Sequence, residues 1–124
     1  MKLFLASHAS HPESMKKLES FLGGFAKKSI AYIPTAANGE HPYGSWQTES
    51  DTWKLINTLG AFVTPVVLEE YRDSSVIEAL RDKDVVWING GMCGYLLYWL
   101  RRCEVDRHMT TLLERSVYVG SSAG

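Results

Sequence analysis

The residues best suited to chemistry stand at Gly120-Ser121-Ser122-Ala123-Gly124, directly after the apolar run "SVYV". A serine hydroxyl is a poor nucleophile unless a turn exposes its oxygen to a general base and sets N–H groups around a developing oxyanion. A tight strand-to-helix turn does both, and its strained backbone requires small residues two positions to either side of the nucleophile. In that reading Ser122 attacks and the Ala123 N–H is one oxyanion donor. The same five residues also fit a plain glycine-rich turn whose amides would suit a phosphate. A second feature, Asn89-Gly90-Gly91, closes the run "DVVWING". Glycines there let a backbone approach a substrate closely and expose N–H groups at a helix start, which makes Gly90 or Gly91 a candidate second oxyanion donor. The alternative is a left-handed turn entering the next helix.

Other reactive side chains fit ordinary roles. His8 and His11 follow the first apolar run, His41 lies in a long loop and His108 in a helical segment; each reads as a solvent-exposed or capping histidine. Cys93 at a helix start would be reactive if its thiol were acidified there, and otherwise is a small buried residue beneath the glycine turn. Arg101 and Arg102 close a helix, where cations suit the dipole. Cys93 and Cys103 have no metal-ligand companions at useful spacing, so neither a metal nor a cofactor is expected.

Strands and helices must alternate to bring the two glycine-rich segments together. "KLFLAS" reads as a strand, and "PESMKKLESFLGGF" as a helix with Pro12 in its first turn and Gly23-Gly24 as its stop. "SIAYIPTAA" (29–37) reads as a second strand, followed by an irregular loop "NGEHPYGS" and one helix over "SWQTESDTWKLINTLG" capped by Gly60. "AFVTPVVLEE" reads as a third strand, with Pro65 demanding an edge position or a bulge. A short helix in "DSSVIEALRD" has Asp73 or Ser74 as its cap. "DVVWING" (84–90) has the continuous apolar character of a parallel strand covered on both faces. "CGYLLYWLRRC" is apolar on most sides and reads as a largely buried helix. A last helix over 105–114 leads into "SVYVG". Such alternation predicts a three-layer α/β domain of the flavodoxin type, its mostly parallel sheet covered by helices on both faces. Ligands in these sheets bind beyond the carboxyl ends of the strands.

Composition narrows the partners. The 124 residues carry 13 Lys and Arg against 14 Asp and Glu, a net charge of −1, and 45% are hydrophobic. That balance argues against nucleic-acid or membrane-surface binding, either of which favours a basic patch. No apolar run nears the ~20 residues of a membrane span, and "MKLFLASHAS" reads as a strand rather than a leader. A single domain in a reducing, cytoplasmic setting is expected.

Five segments in order, "KLFLAS", "AYIPTAAN", "DTWKLINTLGAFVTPVVL", "INGGMCGYLLYWLR" and "VYVGSSAG", resemble the peptidase E-like serine peptidases, the dipeptidase E and cyanophycinase group. The resemblance runs over all 124 residues and implies a sheet akin to that of the class I glutamine amidotransferases. It implies Ser122 as nucleophile, Gly90 and Ala123 as the oxyanion donors, no metal, and hydrolysis through an acyl-enzyme of peptide or isopeptide bonds adjoining aspartate. Two departures stand out. Met92-Cys93 replaces the Asn-Thr that usually follows the family's glycine pair. The family's catalytic histidine, its acidic partner and its substrate-binding arginine come after the serine, where this sequence has no residues.

The expectation is therefore the amino-terminal part of a larger hydrolase, inactive as these 124 residues alone. Its incomplete sheet would self-associate or take a complementary chain on an open edge. A rival reading is a noncatalytic α/β module that binds a small anionic ligand or a partner chain at the same strand ends. A flavin site is poorly supported, because "SHASHPES" lacks the dense hydroxyl run of a phosphate cradle. An amidotransferase would need cysteine in place of Ser122.

Overall fold

Two kinds of apolar segment build the chain: short β-branched runs and longer segments apolar on one side. The computed structural model describes residues 2–6 and 11–121. Within them the short runs form five strands, β1 (Lys2–Ala6), β2 (Ser29–Ile33), β3 (Phe62–Pro65), β4 (Val85–Ile88) and β5 (Val117–Ser121). They hydrogen-bond in the order β1-β5-β4-β2-β3, and every pair is parallel. The predicted three-layer α/β architecture is present.

Among the described residues eight helices connect the strands: α1 (Pro12–Leu22), α2 (Thr35–Glu40), α3 (Trp46–Glu49), α4 (Asp51–Ile56), α5 (Leu68–Tyr71), α6 (Val76–Leu80), α7 (Cys93–Arg102) and α8 (Val105–Leu112). Side-chain alternation along the buried strands assigns them to layers. Ile30 and Tyr32 of β2, with Val85 and Trp87 of β4, pack on Met15 and Leu18 of α1, Trp46 of α3 and Ile56 of α4. The intervening Ala31, Ile33, Val86 and Ile88 face Leu80 of α6, Leu96 of α7 and Leu112 of α8. The chain leaves β2 toward one face and β4 toward the other, so a crevice opens between their carboxyl ends, the position at which such sheets hold ligands.

Several boundaries differ from the sequence expectation. The strand predicted over 29–37 stops at Ile33, because Pro34 has no N–H to extend the ladder; Thr35 to Glu40 then wind into α2. The single helix predicted over 45–60 is two helices. Ser50 takes an extended conformation between them, and its Oγ accepts the Trp53 N–H at 3.2 Å, which caps α4. The third strand ends at Pro65, at the sheet edge as its proline demands, and "LEE" turns into α5. The helix read as buried on most sides, α7, buries only Leu96 fully and leaves Leu97 and Tyr98 exposed. It covers the sheet with one face, and its outer face meets solvent. Gly23 caps α1 in the left-handed conformation at φ 75°, and Asp73 Oδ1 accepts the Ser75 N–H at 2.9 Å before α6. No helix of the described residues is long and apolar enough to cross a membrane.

The α1 face is a direct probe of this packing. Leu18 is fully buried among sheet residues, whereas Lys17 beside it is exposed. Leu18→Ala should lower the unfolding free energy by about 2–5 kcal/mol, and Lys17→Ala should change it by less than ~0.5 kcal/mol, both read from urea denaturation. Equal effects of the two would contradict the assigned face.

Candidate active site at the carboxyl edge

The register places the end of β4, which leads into the glycine bend, beside the end of β5. Ile88, the last residue of β4, lies opposite Gly120 of β5, and Ala6 of β1 lies opposite Ser121. Strands spaced about 4.8 Å apart therefore bring the Asn89–Gly91 bend and the end of β5 to one edge as neighbours. The candidate nucleophile Ser122, the candidate donor Ala123 and His8 lie outside the described residues. Ser121, the last described position, is buried.

The two glycines of the bend have different surroundings. Asn89 N–H donates to the Ile33 carbonyl at 3.2 Å and Met92 N–H to the Ala36 carbonyl at 2.9 Å, so the bend is laced onto β2 and α2. Gly91 sits at φ 153°, and a Cβ there would collide with the Ala36 carbonyl and come within 2.7 Å of the Ala37 nitrogen. Only glycine permits this approach. Gly90 instead lines an open cleft of about 320 Å³ with Asn89, Ala37, Glu40, His41, Ser45, Trp46, Glu49 and Ser50. Of the two, Gly90 is the one that faces a space able to hold a substrate.

Beneath the cleft, Tyr32 is fully buried and its phenol shares a 3.3 Å hydrogen bond with Ser50 Oγ. Burial pushes this phenol up to about 12, against hydrogen bonds to Ser50 and Asn89 that pull it down. Its ring meets Trp53 at 5.2 Å and Trp46 at 6.0 Å, and the two indoles stand edge to face at 5.0 Å. Trp46 of this aromatic cluster lines the cleft.

A residue not singled out from the sequence organises the other side. Glu69 is buried, and its carboxylate accepts hydrogen bonds from Thr35 Oγ1 at 2.8 Å, Asn38 Nδ2 at 3.0 Å and Tyr95 OH at 2.9 Å. Thr35 Oγ1 in turn accepts the Leu68 N–H at 3.2 Å, and Asn38 Oδ1 accepts the Gly44 N–H at 2.9 Å. The donors lie 26 to 34 residues away in sequence, so no local pattern marks Glu69. Gly39 completes the arrangement, since a Cβ there would lie 2.5 Å from the Tyr95 ring.

The remaining candidates are dispersed. His11 caps α1, its Nδ1 accepting the Glu13 N–H at 3.4 Å. His41 is exposed on the cleft rim, its Nε2 3.9 Å from Glu40. His108 lies on α8 with Nδ1 2.9 Å from the Glu104 carbonyl, away from the carboxyl edge. Arg101 and Arg102 are exposed at the end of α7. Cys93 is exposed as the first residue of α7, not buried beneath the turn, because Gly91 and Met92 carry the chain outward before the helix begins. Cys103 is the buried thiol and donates to the Leu68 carbonyl at 3.4 Å. Among the described residues no group of three or more His, Cys, Asp or Glu is placed to hold a metal ion.

Two measurements test this site. Gly91→Ala should lower stability by roughly 2–4 kcal/mol, as strain and a backbone collision add, and an unchanged melting temperature would contradict the close approach. The alkaline limb of stability should be set partly by Tyr32. A phenol held at about 12 in the fold and near 10 when unfolded keeps its proton longer in the folded state. Its contribution is complete below pH 10 and is lost as pH rises toward 12, on the order of 2–3 kcal/mol in all. Tyr32→Phe should flatten that limb, and an unchanged slope would show the phenol to be solvated.

Comparison with known proteins places this geometry in a family. The model of peptidase family S51 matches residues 3–124. Uncharacterized peptidases of Listeria innocua serovar 6a and Pasteurella multocida are each 27% identical to the chain; 98% and 99% of it align, against 56% and 58% of their own lengths. A provisionally named peptidase E from Listeria monocytogenes EGD-e superposes with a TM-score of 0.83 at 25% identity, covering 100% of this chain and 60% of that one. A peptidase from an acI-B1 actinobacterium, at 21% identity and a TM-score of 0.67, shares the fold. The chain thus spans a little over half the length of the curated relatives it matches, from the first strand to the residues after β5, and it belongs to peptidase family S51.

Proposed function

We propose that this chain forms the nucleophile-bearing part of a serine peptidase that cleaves bonds adjoining aspartate through an acyl-enzyme. The single observation that carries the reading is the adjacency of the ends of β4 and β5, which brings the Gly90 bend beside the segment leading to Ser122. Family membership supplies the reaction class.

In this reaction the Ser122 oxygen bonds to the scissile carbonyl carbon and its proton passes to a general base. The carbonyl oxygen becomes an oxyanion held by the N–H groups of Gly90 and Ala123. Collapse breaks the C–N bond, the proton moves to the departing amine, and water then releases the acyl group and restores the hydroxyl. His41 borders the cleft but is exposed, and its carboxylate neighbour Glu40 is equally exposed, which suits a rim residue better than an oriented base. The base and its acidic partner are assigned to the part of the relatives' length that this chain does not span.

A polypeptide uniting this chain with that remaining part should hydrolyse an aspartyl dipeptide and be labelled at Ser122 by a fluorophosphonate. Ser122→Ala should abolish labelling and reduce turnover by about 10⁴-fold or more. Residues 1–124 alone should give no turnover; cleavage by them that Ser122→Ala removes would contradict the assignment of the base. Failure of the longer polypeptide to label, with its fold intact, would favour the noncatalytic module.

A further inference from the structure

A buried carboxylate is an expensive way to join two helices. Glu69 of α5 accepts from Thr35 Oγ1 at 2.8 Å and Asn38 Nδ2 at 3.0 Å on α2, and from Tyr95 OH at 2.9 Å on α7. An apolar side chain could fill such a gap without withdrawing a charge from water. Three directed hydrogen bonds do what apolar packing does not: they fix the distance and angle between the helices they join.

The same two helices meet again at the glycine bend. Met92 N–H donates to the Ala36 carbonyl at 2.9 Å, and a Cβ on Gly91 would collide with that carbonyl. Ala36 follows Thr35 in α2, and Met92 leads through Cys93 and Gly94 to Tyr95 in α7. Glu69, Thr35, Ala36, Met92 and Tyr95 thus close a ring of hydrogen bonds and chain around this seam. The ring tolerates one spacing. If α2 and α7 came closer, Gly91 would meet the Ala36 carbonyl; if they parted, the Met92 hydrogen bond would open. The spacing is also a dimension of the cleft, because α2 supplies Ala37 and Glu40 to its lining and the bend supplies Asn89 and Gly90.

We infer that Glu69 is a positioning residue for the acyl transfer: its carboxylate sets the spacing of α2 and α7 and so seats the Asn89–Gly91 bend at the cleft. The kinetic consequence rests on the proposed peptidase reaction; the seating of the bend stands apart from it.

The fold supplies its own control. Tyr43 OH donates to Glu70 Oε2 at 2.9 Å, the same phenol–carboxylate bond on the next acid, but outside the ring. In amide NMR spectra of the chain, Tyr95→Phe should displace the Gly91 and Met92 resonances and raise Met92 hydrogen exchange about tenfold. Tyr43→Phe should raise it less than about twofold. Glu69→Ala should act at least as strongly as Tyr95→Phe, and adding Tyr95→Phe to it should change Met92 exchange by less than about twofold more. Should Glu69→Ala not fold, the two phenol variants decide alone. In the longer polypeptide, Tyr95→Phe should slow fluorophosphonate labelling about tenfold, while reversible affinity for an aspartyl peptide changes less than about twofold. Equal responses of Met92 to Tyr95→Phe and Tyr43→Phe, or affinity that falls in step with labelling, would overturn the inference. If the unmutated polypeptide does not label, the peptidase reading fails, and the Met92 comparison still decides whether Glu69 seats the bend.

Discussion

A buried carboxylate with three donors and no cation beside it among the described residues holds the carboxyl edge of this sheet together. Glu69 belongs to α5, which follows β3. Its donors Thr35 and Asn38 belong to α2, which follows β2, and Tyr95 belongs to α7, which follows β4. One side chain therefore joins the connections that leave three neighbouring strands. Charge-assisted hydrogen bonds of this length contribute more than neutral ones, and they offset the cost of withdrawing the carboxylate from water. Gly39 belongs to the same device, because the Tyr95 ring occupies the volume a larger residue would take.

With that edge fixed, the topology supplies a crevice and the glycine pair shapes it. The order β1-β5-β4-β2-β3 sends the chain to opposite faces after β2 and β4, and the cleft opens where the two paths diverge. Gly91 lets the bend sit against the Ala36 carbonyl, which anchors it to α2, and Gly90 is left at the cleft surface. Close packing of one glycine thus determines where the other faces. Met92 ties the bend to α2 through its N–H while its side chain is exposed, and Cys93 begins α7 beside it, also exposed.

Much of this was legible in the residues. The continuous apolar run of β4 announced a strand buried on both faces, Pro65 announced an edge or a bulge and stands at the edge, and Gly23 announced the end of α1. Three misreadings share a cause. The extension of β2 through Ala37, the unbroken helix over 45–60 and the buried outer face of α7 were judged from side-chain polarity over short windows. The outcome depended instead on Pro34 ending a ladder, on Ser50 capping a second helix, and on α7 having only one neighbour layer. Glu69 and Tyr32 were missed for a further reason. An acid after "VVL" and a tyrosine inside an apolar strand look ordinary, and their partners become neighbours only in the folded chain.

The assignment that matters most is the Gly90 N–H as oxyanion donor to a nucleophile carried just beyond β5. A crystal structure of the longer polypeptide bearing a phosphonyl group on Ser122 tests it directly, because that tetrahedral phosphorus stands in for the acyl intermediate. A phosphonyl oxygen about 2.7–3.1 Å from the Gly90 nitrogen is the expected result. An adduct whose oxygens point to solvent, with Gly90 turned away from them, would contradict it.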